Sequence, residues 1–199
     1  LDYAISTMTA QGAKSLVFDL RDNSSTDLGA AIECIDLVCP EGTVATAQYA
    51  DGSTVELGTS DGDRQVTLPV VCIVNGSTAS GAELFASCAR LMAGARLAGT
   101  ATAGRGTVMS DPKMLSDGSA VVITTAKLLT CDGSSFDGTG LTVDAERVLS
   151  SDETAMYYDF TVDNDPQIQK AFSVADQLTG TSTVAAANEA ASSQAAESA

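Results

Sequence analysis

An apolar run that ends in a glycine- and serine-rich turn constrains this sequence more than any other feature. Residues 69–74 read Pro-Val-Val-Cys-Ile-Val, and after Asn75-Gly76 the chain turns through Ser-Thr-Ala-Ser-Gly at 77–81. A short apolar run of this kind is typical of a buried strand, and helical periodicity begins at Ala82-Glu83. The sequence therefore predicts a strand, a turn that carries Ser80, and a helix.

This arrangement allows two interpretations of Ser80. The first N–H groups of a helix have no partner within it and point at whatever lies over the turn. A nucleophilic serine would find preset donors there for a developing oxyanion, with the N–H of Gly81 among them. In the other interpretation Ser80 only caps the helix, which is the commoner role of a serine at such a position.

Four further blocks accompany this turn. They read Asp-Leu-Arg-Asp-Asn-Ser-Ser-Thr at 19–26, Ala-Gly-Arg-Gly-Thr-Val-Met at 103–109, Asp-Gly-Ser at 117–119 and Gly-Thr-Gly-Leu-Thr-Val-Asp at 138–144. In this order and spacing the five blocks resemble the carboxyl-terminal processing peptidases, also called tail-specific proteases. The pattern of that family runs Asp-Leu-Arg-x-Asn-x-Gly-Gly, Ser-Ala-Ser-Ala-Ser-Glu, Phe-Gly-Lys-Gly-x-Val-Gln, Asp-Gly-Ser and Gly-x-Gly-(Ile/Val)-x-Pro-Asp. The resemblance extends over roughly residues 14–178.

The resemblance implies a serine peptidase core with an α/β fold, a crotonase-like spiral of strand-strand-helix units. It implies a Ser–Lys dyad in which Ser80 is the nucleophile, and it places the lysine of the dyad at Arg105, 25 residues later. It also implies that the turn at Ser25 supplies one oxyanion amide, beside that of Gly81. No cofactor and no metal are implied.

Five positions depart from the family pattern. Ser25-Thr26 replace the two glycines that let the backbone approach a substrate closely, and both side chains resist positive φ. Met109 replaces a glutamine and cannot supply amide hydrogen bonds, and Val143 replaces a proline. Arg105 is the most serious change, because a buried lysine can lose its proton near neutral pH whereas arginine keeps it. We expect the Arg105 guanidinium to lie near Ser80 or to pair with a nearby carboxylate.

The one candidate for a substitute base is Lys113. The chain contains no histidine, which excludes a Ser-His-Asp triad and any histidine-based metal site. Lys113 is the only one of the four lysines close to the dyad segment in sequence. Asp19 follows the first predicted strand, where we expect it to organise the strand end with Arg21.

Composition excludes several classes of function. The net charge of −16, with only ten basic residues, argues against binding to nucleic acid or anionic membranes. No apolar run approaches the roughly 20 residues that cross a bilayer. The five cysteines form no metal-binding pattern, and Cys34, Cys72 and Cys88 lie on apolar faces, so we interpret them as buried thiols.

We expect residues 1–178 to form the catalytic core, without the cap and the peptide-binding PDZ module that precede it in family members. The Ala/Ser-rich segment 179–199 is expected to be a flexible tail. Local patterns predict the following elements: a helix at the start of the chain, a strand at 16–20, a helix capped by Thr26 or Asp27 and ended by Pro40, a hairpin at 43–57, a strand at 121–129 and a helix at 167–178.

Three functions remain open at this point. The chain is a peptidase core that cleaves near the C-termini of extended polypeptides, a pseudopeptidase that keeps the peptide groove without the chemistry, or a module that binds small ligands. The partner is a polypeptide substrate in the first case and a peptide ligand in the second. The resemblance implies an extracytoplasmic location.

Overall fold

The structure, a computed structural model, describes residues 1–180. The predicted tail lies outside the described residues, apart from its first two positions, which end the last helix. The helices are α1 (Asp2–Ala10), α2 (Leu28–Asp36), α3 (Gly81–Ala93), α4 (Ser151–Ala155) and α5 (Pro166–Thr179), with a short 3-10 helix at Tyr157–Asp159. The strands are β1 (Leu16–Asp19), β2 (Gly42–Gln48), β3 (Thr54–Ser60), β4 (Val70–Val74), β5 (Arg96–Gly99), β6 (Thr107–Met109), β7 (Lys113–Met114), β8 (Ala120–Val121), β9 (Thr124–Thr130) and β10 (Ala145–Glu146).

The centre of the fold is a parallel sheet in the order β1-β4-β5-β10. All five residues of β4 are buried, which explains why this strand reads as a continuous apolar run. Alternate residues of β4 pack into two different hydrophobic clusters. Cys72 lies in the cluster that includes α3, and Ile73 lies in the cluster that includes Ala171 of α5, so the sheet is covered on both faces.

A second sheet is antiparallel, in the order β3-β2-β9-β6. Along the chain, β1 belongs to the first sheet, β2 and β3 to the second, β4 and β5 to the first, β6 and β9 to the second, and β10 to the first. The chain therefore alternates between the two sheets. Helix α2 lies between β1 and β2, and helix α3 lies between β4 and β5 of the parallel sheet. The predicted α/β class and its spiral of strand-strand-helix units are confirmed.

Several local predictions differ from the structure. The hairpin is confirmed, with its turn at Asp51-Gly52 between β2 and β3. The single strand predicted at 121–129 is wrong, because the chain leaves β8 and is irregular at 122–123 before β9 begins. The apolar pattern of the helix after Ser80 also predicts that Leu91 is buried, but Leu91 is 47% exposed. The predicted first helix forms, but none of its residues is buried.

The helix ends follow the polar residues that precede them. Asp27 accepts the N–H of Ala30 at 3.0 Å and caps α2, in agreement with the sequence. Asp165 caps α5 by accepting the N–H groups of Gln167 and Ile168, with Pro166 at the first helical position. Within residues 1–180, no helix has both the length and the apolar character needed to cross a membrane.

Candidate active site

Four of the five sequence blocks meet at the carboxyl edge of the parallel sheet. The segments that follow β1, β4 and β5 are adjacent there, as expected for neighbouring parallel strands. The N–H of Ala79 donates to the carbonyl of Asn23 at 2.9 Å, and the N–H of Ala103 donates to the carbonyl of Thr78 at 3.0 Å. The block at 117–119 is not part of this cluster, since it forms the turn between the exposed strands β7 and β8.

Ser80 lies in this cluster at the junction of the turn and α3, as predicted. Its backbone has φ +57°, and among the non-glycine residues of the described part only Asp22 shares a positive φ. Such a conformation costs of order 1–3 kcal/mol and persists where the surrounding structure enforces it, often at functional sites. Ser80 is only 5% exposed, so its hydroxyl is less accessible than a nucleophile in an open groove would be.

The buried carboxylate of Glu83 binds the two halves of the site together. Its Oε2 accepts the N–H of Ser80 at 3.0 Å and the N–H of Arg105 at 2.8 Å. Its Oε1 accepts the hydroxyl of Thr102 and the N–H of Gly104 at 2.7 Å. Four donors satisfy a side chain with no exposed surface, which is the condition under which a buried carboxylate is tolerated.

Sequence reasoning did not assign this role to Glu83. A signal was present, because Ser80 and Glu83 have the Ser-x-x-Glu spacing of a capping box at a helix start. That pattern predicts the hydrogen bond between the Glu83 carboxylate and the Ser80 N–H. It does not predict the hydrogen bonds from residues 102–105 to the same carboxylate, because that segment follows β5 and is distant in sequence.

Two glycines allow the third and fifth blocks to touch. A Cβ at Gly104 would lie 2.7 Å from the backbone N of Gly140, and a Cβ at Gly140 would lie 2.3 Å from the carbonyl oxygen of Thr102. Both glycines also have positive φ, at +78° and +70°. Only glycine fits at these two positions, and the loop that carries Arg105 is therefore fixed by close backbone packing.

Arg105 occupies the predicted position of the dyad base, but only its backbone is fixed. The N–H binds Glu83, whereas the exposed side chain forms no ion pair with any residue that the structure describes. Of the two positions expected for its guanidinium, pairing with a nearby carboxylate is therefore not found, and a position near Ser80 stays a prediction. An exposed guanidinium is well solvated and has no need of such a partner.

The two residues predicted to supply oxyanion amides bind each other. The N–H of Gly81 donates to the carbonyl of Ser25 at 3.0 Å, and the N–H of Ser25 donates to Oδ1 of Asn23 at 3.1 Å. In this conformation neither amide is available to a ligand. The expectation that the Gly81 N–H faces open space is therefore not met, and the oxyanion role of Ser25 and Gly81 stays a prediction.

The lysine closest to the dyad segment in sequence is also separated from this cluster. Lys113 lies in the β7–β8 hairpin, where every residue from 111 to 125 is exposed. Met109, which stands where the family has glutamine, is 42% exposed at the end of β6. Its sulfur lies 3.5 Å from the hydroxyl of Thr124.

Comparison with known proteins identifies the family to which this sequence and this fold belong. The model of peptidase family S41 matches residues 1–147. The chain belongs to peptidase family S41. This confirms the resemblance to the carboxyl-terminal processing peptidases, which are serine peptidases.

Similar proteins carry names of the same kind. The chain is 37% identical over 131 residues to the carboxy-terminal processing protease CtpA of Bacillus subtilis (strain 168), covering 65% of this chain and 28% of that protein. It is 34% identical over 151 residues to the chloroplastic carboxyl-terminal-processing peptidase 1 of Arabidopsis thaliana, covering 75% and 31%. A solved photosystem II D1 C-terminal processing protease has a TM-score of 0.68 and 26% identity, covering 84% of this chain and 44% of that one. The chain thus spans less than a third of the length of these two curated relatives.

Ion pairs of the buried Arg21 side chain support the first block of this S41 chain. Arg21 binds Asp19 at 2.6 Å, as predicted, and Asp165 at the start of α5 at 2.8 Å. Burial alone would lower the pKa of Arg21, but the hydrogen bonds to both carboxylates raise it above its ordinary value. The guanidinium also lies over the ring of Tyr157, 5.5 Å from the centroid. These contacts fix the loop after β1 against the C-terminal helix.

A second cluster holds Asp22 in its positive-φ conformation. Its carboxylate accepts the side-chain amide of Asn75 at 3.0 Å and the hydroxyl of Tyr157 at 2.8 Å. These hydrogen bonds lower the pKa of Asp22. Burial and the hydrogen bond to Asp22 raise the pKa of Tyr157 to about 12. The turns after β1 and β4 are therefore joined by side chains as well as by backbone.

The five cysteines, all within the described part of the S41 chain, are free thiols. Cys72 and Cys88 are buried as predicted, whereas Cys34 is only half-buried. Burial raises the pKa of Cys39 and Cys72 to about 12, so these thiols stay protonated at neutral pH. A hydrogen bond from Cys88 lowers the pKa of the half-buried Cys131.

Proposed function

We propose that this chain is the core of a carboxyl-terminal processing protein that binds the C-terminal regions of extended polypeptides beside Ser80 without cleaving them. The observation that carries the proposal is Arg105 at the position of the dyad lysine. A general base must be deprotonated before it can accept the proton of the serine hydroxyl. Arginine, with a pKa above about 12, stays protonated at every physiological pH.

The surroundings of Ser80 support the same conclusion. Ser80 is 5% exposed, and the Gly81 amide that would stabilise an oxyanion is bonded to Ser25. Loss of oxyanion donors costs a serine hydrolase about 10²–10³ in kcat for each donor, even when the base is present. The site therefore has neither a residue that can accept the Ser80 proton nor a free Gly81 amide, and both are needed for turnover.

Peptide binding does not require either of these groups. An extended peptide gains most of its affinity from main-chain hydrogen bonds to a neighbouring strand. β6 begins two residues after Arg105 and lies at the edge of the second sheet, with β9 on one side only. Its open side offers backbone groups to an extended ligand close to Ser80.

A competing candidate is an active peptidase, and one observation favours it. The strained backbone of Ser80 is held in place by Glu83 and by the docked loop at 22–26, which is the kind of enforced strain found at working active sites. In this account the strain is inherited from the S41 scaffold. An extracytoplasmic location of the full protein stays a prediction from the family resemblance.

Isothermal titration calorimetry tests the binding proposal. The probes are acetyl-Ala-Gly-Ser-Leu-Val-Ala with a free carboxylate and the same peptide with a C-terminal amide. We expect the free acid to bind with a Kd of about 10⁻⁵ M or weaker, within about twofold in Ser80→Ala, because affinity resides in main-chain contacts. Absence of binding by either peptide would contradict the proposal.

A further inference from the structure

One backbone hydrogen bond closes the site of this chain. The carbonyl of Ser25 accepts the N–H of Gly81 at 3.0 Å, directly beside Ser80. The approach is close, since a Cβ at Gly81 would lie 3.1 Å from the same oxygen. A carbonyl of the chain itself therefore occupies the donor that a ligand carbonyl would need.

The loop holds this carbonyl in place through its own side chains. Oδ1 of Asn23 accepts the N–H of Ser25 at 3.1 Å, and Oγ of Ser25 accepts the N–H of Asp27 at 3.3 Å. The carbonyl of Asn23 accepts the N–H of Ala79 at 2.9 Å, which docks the loop on the turn before Ser80. The Ser25 carbonyl is thus positioned by hydrogen bonds on both sides of it.

The peptide unit between Ser25 and Thr26 has a donor that is not used. In a planar trans peptide the C=O of Ser25 and the N–H of Thr26 point in opposite directions. Among residues 1–180, the Thr26 N–H donates a hydrogen bond to no acceptor. A rotation of this one peptide plane by about 180° would remove the acceptor from Gly81 and turn the Thr26 N–H towards the same space.

We propose that the Ser25–Thr26 peptide is a two-state switch that regulates the Ser80 site. In the closed state, seen here, the Ser25 carbonyl blocks the Gly81 amide. In the open state the Gly81 and Thr26 amides both face the ligand, and a peptide carbonyl takes the place of the Ser25 carbonyl. The proposal rests on the proposed function, because its ligand is the extended polypeptide that would bind there.

Residue type decides which state dominates. Rotation of the peptide plane changes ψ of Ser25 and carries φ of Thr26 towards positive values, which are unfavourable for a β-branched side chain and accessible to glycine. Thr26 therefore favours the closed state. Because only the open fraction binds, the apparent affinity for a peptide is reduced by that fraction.

Amide hydrogen exchange measured by NMR on Thr26→Gly tests the switch. Ser24→Gly is the matched control, since it places a glycine in the same loop outside the flipping peptide. The internal reference is the Ala79 amide, whose acceptor Asn23 is not changed. In Thr26→Gly we expect the Gly81 amide to exchange about tenfold faster relative to Ala79, with no change in the control.

Calorimetry with the acetylated free-acid peptide separates the switch from the proposed function. We expect Thr26→Gly to lower the Kd about tenfold, in proportion to the larger open fraction. Faster exchange of Gly81 without binding of the peptide to either protein would leave the switch standing and contradict the proposed function. Equal exchange of Gly81 in wild type, Thr26→Gly and the double variant Ser25→Gly/Thr26→Gly would overturn the switch, whether or not the peptide binds.

Discussion

Glu83 holds Arg105 by its backbone alone: Oε2 accepts the Arg105 N–H at 2.8 Å, while the guanidinium extends into solvent. The same oxygen accepts the N–H of Ser80, so one buried carboxylate fixes the spacing between the predicted nucleophile and the residue in the place of its base. The geometry of a dyad is therefore maintained by a residue outside the dyad. Substitution of Arg105 by any residue except proline keeps the N–H that forms this anchor.

Glu83→Gln tests this anchor. The amide nitrogen of glutamine cannot accept the hydrogen bonds that a carboxylate oxygen accepts, which leaves buried N–H groups without partners. We expect a loss of about 3 kcal/mol in the free energy of unfolding, measured by urea denaturation. Glu153→Gln is the control, because Glu153 caps α4 at the surface by a similar bond to the N–H of Ser150. A loss no larger than that of the control would contradict the anchoring role.

Asp165→Asn tests the buried ion pair with Arg21. Only 7% of the Arg21 side chain and 5% of the Asp165 side chain are exposed. In Asp165→Asn the guanidinium of Arg21 keeps Asp19 as its only carboxylate partner, and the Asp19 side chain is 42% exposed. We therefore expect a loss of about 2 kcal/mol in unfolding free energy, from the weakened charged hydrogen bond. The matched control is Asp36→Asn, whose partner Arg64 is 57% exposed, and there we expect less than about 1 kcal/mol. Equal losses would contradict the assignment.

The hydroxyl of Tyr157 provides a test at alkaline pH. Its folded pKa of about 12 lies above the ordinary value of 10.0. Neutral Tyr157 therefore stabilises the fold fully below about pH 10, and this contribution is lost as the pH rises through about 12. Spectrophotometric titration of wild type minus Tyr157→Phe should show one phenol ionising near pH 12. A difference curve centred near pH 10 would contradict both the burial of this phenol and its bond to Asp22.

Thiol labelling separates Cys131 from the buried cysteines. Cys131 has a lowered pKa and is half-buried, whereas burial raises the pKa of Cys39 and Cys72 to about 12. Since the thiolate is the reactive form, we expect Cys131 to react with a disulfide reagent at pH 8 faster than those two. Mass spectrometry of the labelled peptides identifies the sites. Cys131→Ala should remove the fast phase, while Cys72→Ala should leave it unchanged; the reverse pattern would contradict the pKa ordering.

The sequence was sufficient to predict the elements that depend on local patterns. The run before Ser80, the cap at Asp27 and the hairpin at Asp51-Gly52 each have a signature in residue type and spacing. The family membership follows from five such signatures in order. The single strand predicted at 121–129 was wrong because residues 122–123 are irregular and separate β8 from β9; residues 121–123 are all exposed, so no burial fixes them in a strand.

The contacts that decide the state of the site had no such signature. The bond between the Ser25 carbonyl and the Gly81 N–H joins backbone groups that every non-proline residue possesses. The pair of Arg21 and Asp165 joins residues 144 positions apart, and several acidic residues offered an equivalent charge. Residue types were therefore enough to locate the candidate site. Only the folded structure reveals that the Gly81 N–H is already bonded to the Ser25 carbonyl.

Incubation of the wild-type chain with acetyl-Ala-Gly-Ser-Leu-Val-Ala, followed by mass spectrometry, tests the central claim most directly. Ser80→Ala measures the cleavage that does not depend on this site, because it removes the hydroxyl of the predicted nucleophile. Because Arg105 cannot accept a proton and Ser25 occupies the Gly81 amide, we predict that wild type and Ser80→Ala yield the same amount of product over hours. Product from the wild type that is absent with Ser80→Ala would contradict the claim that this site binds peptides without cleaving them.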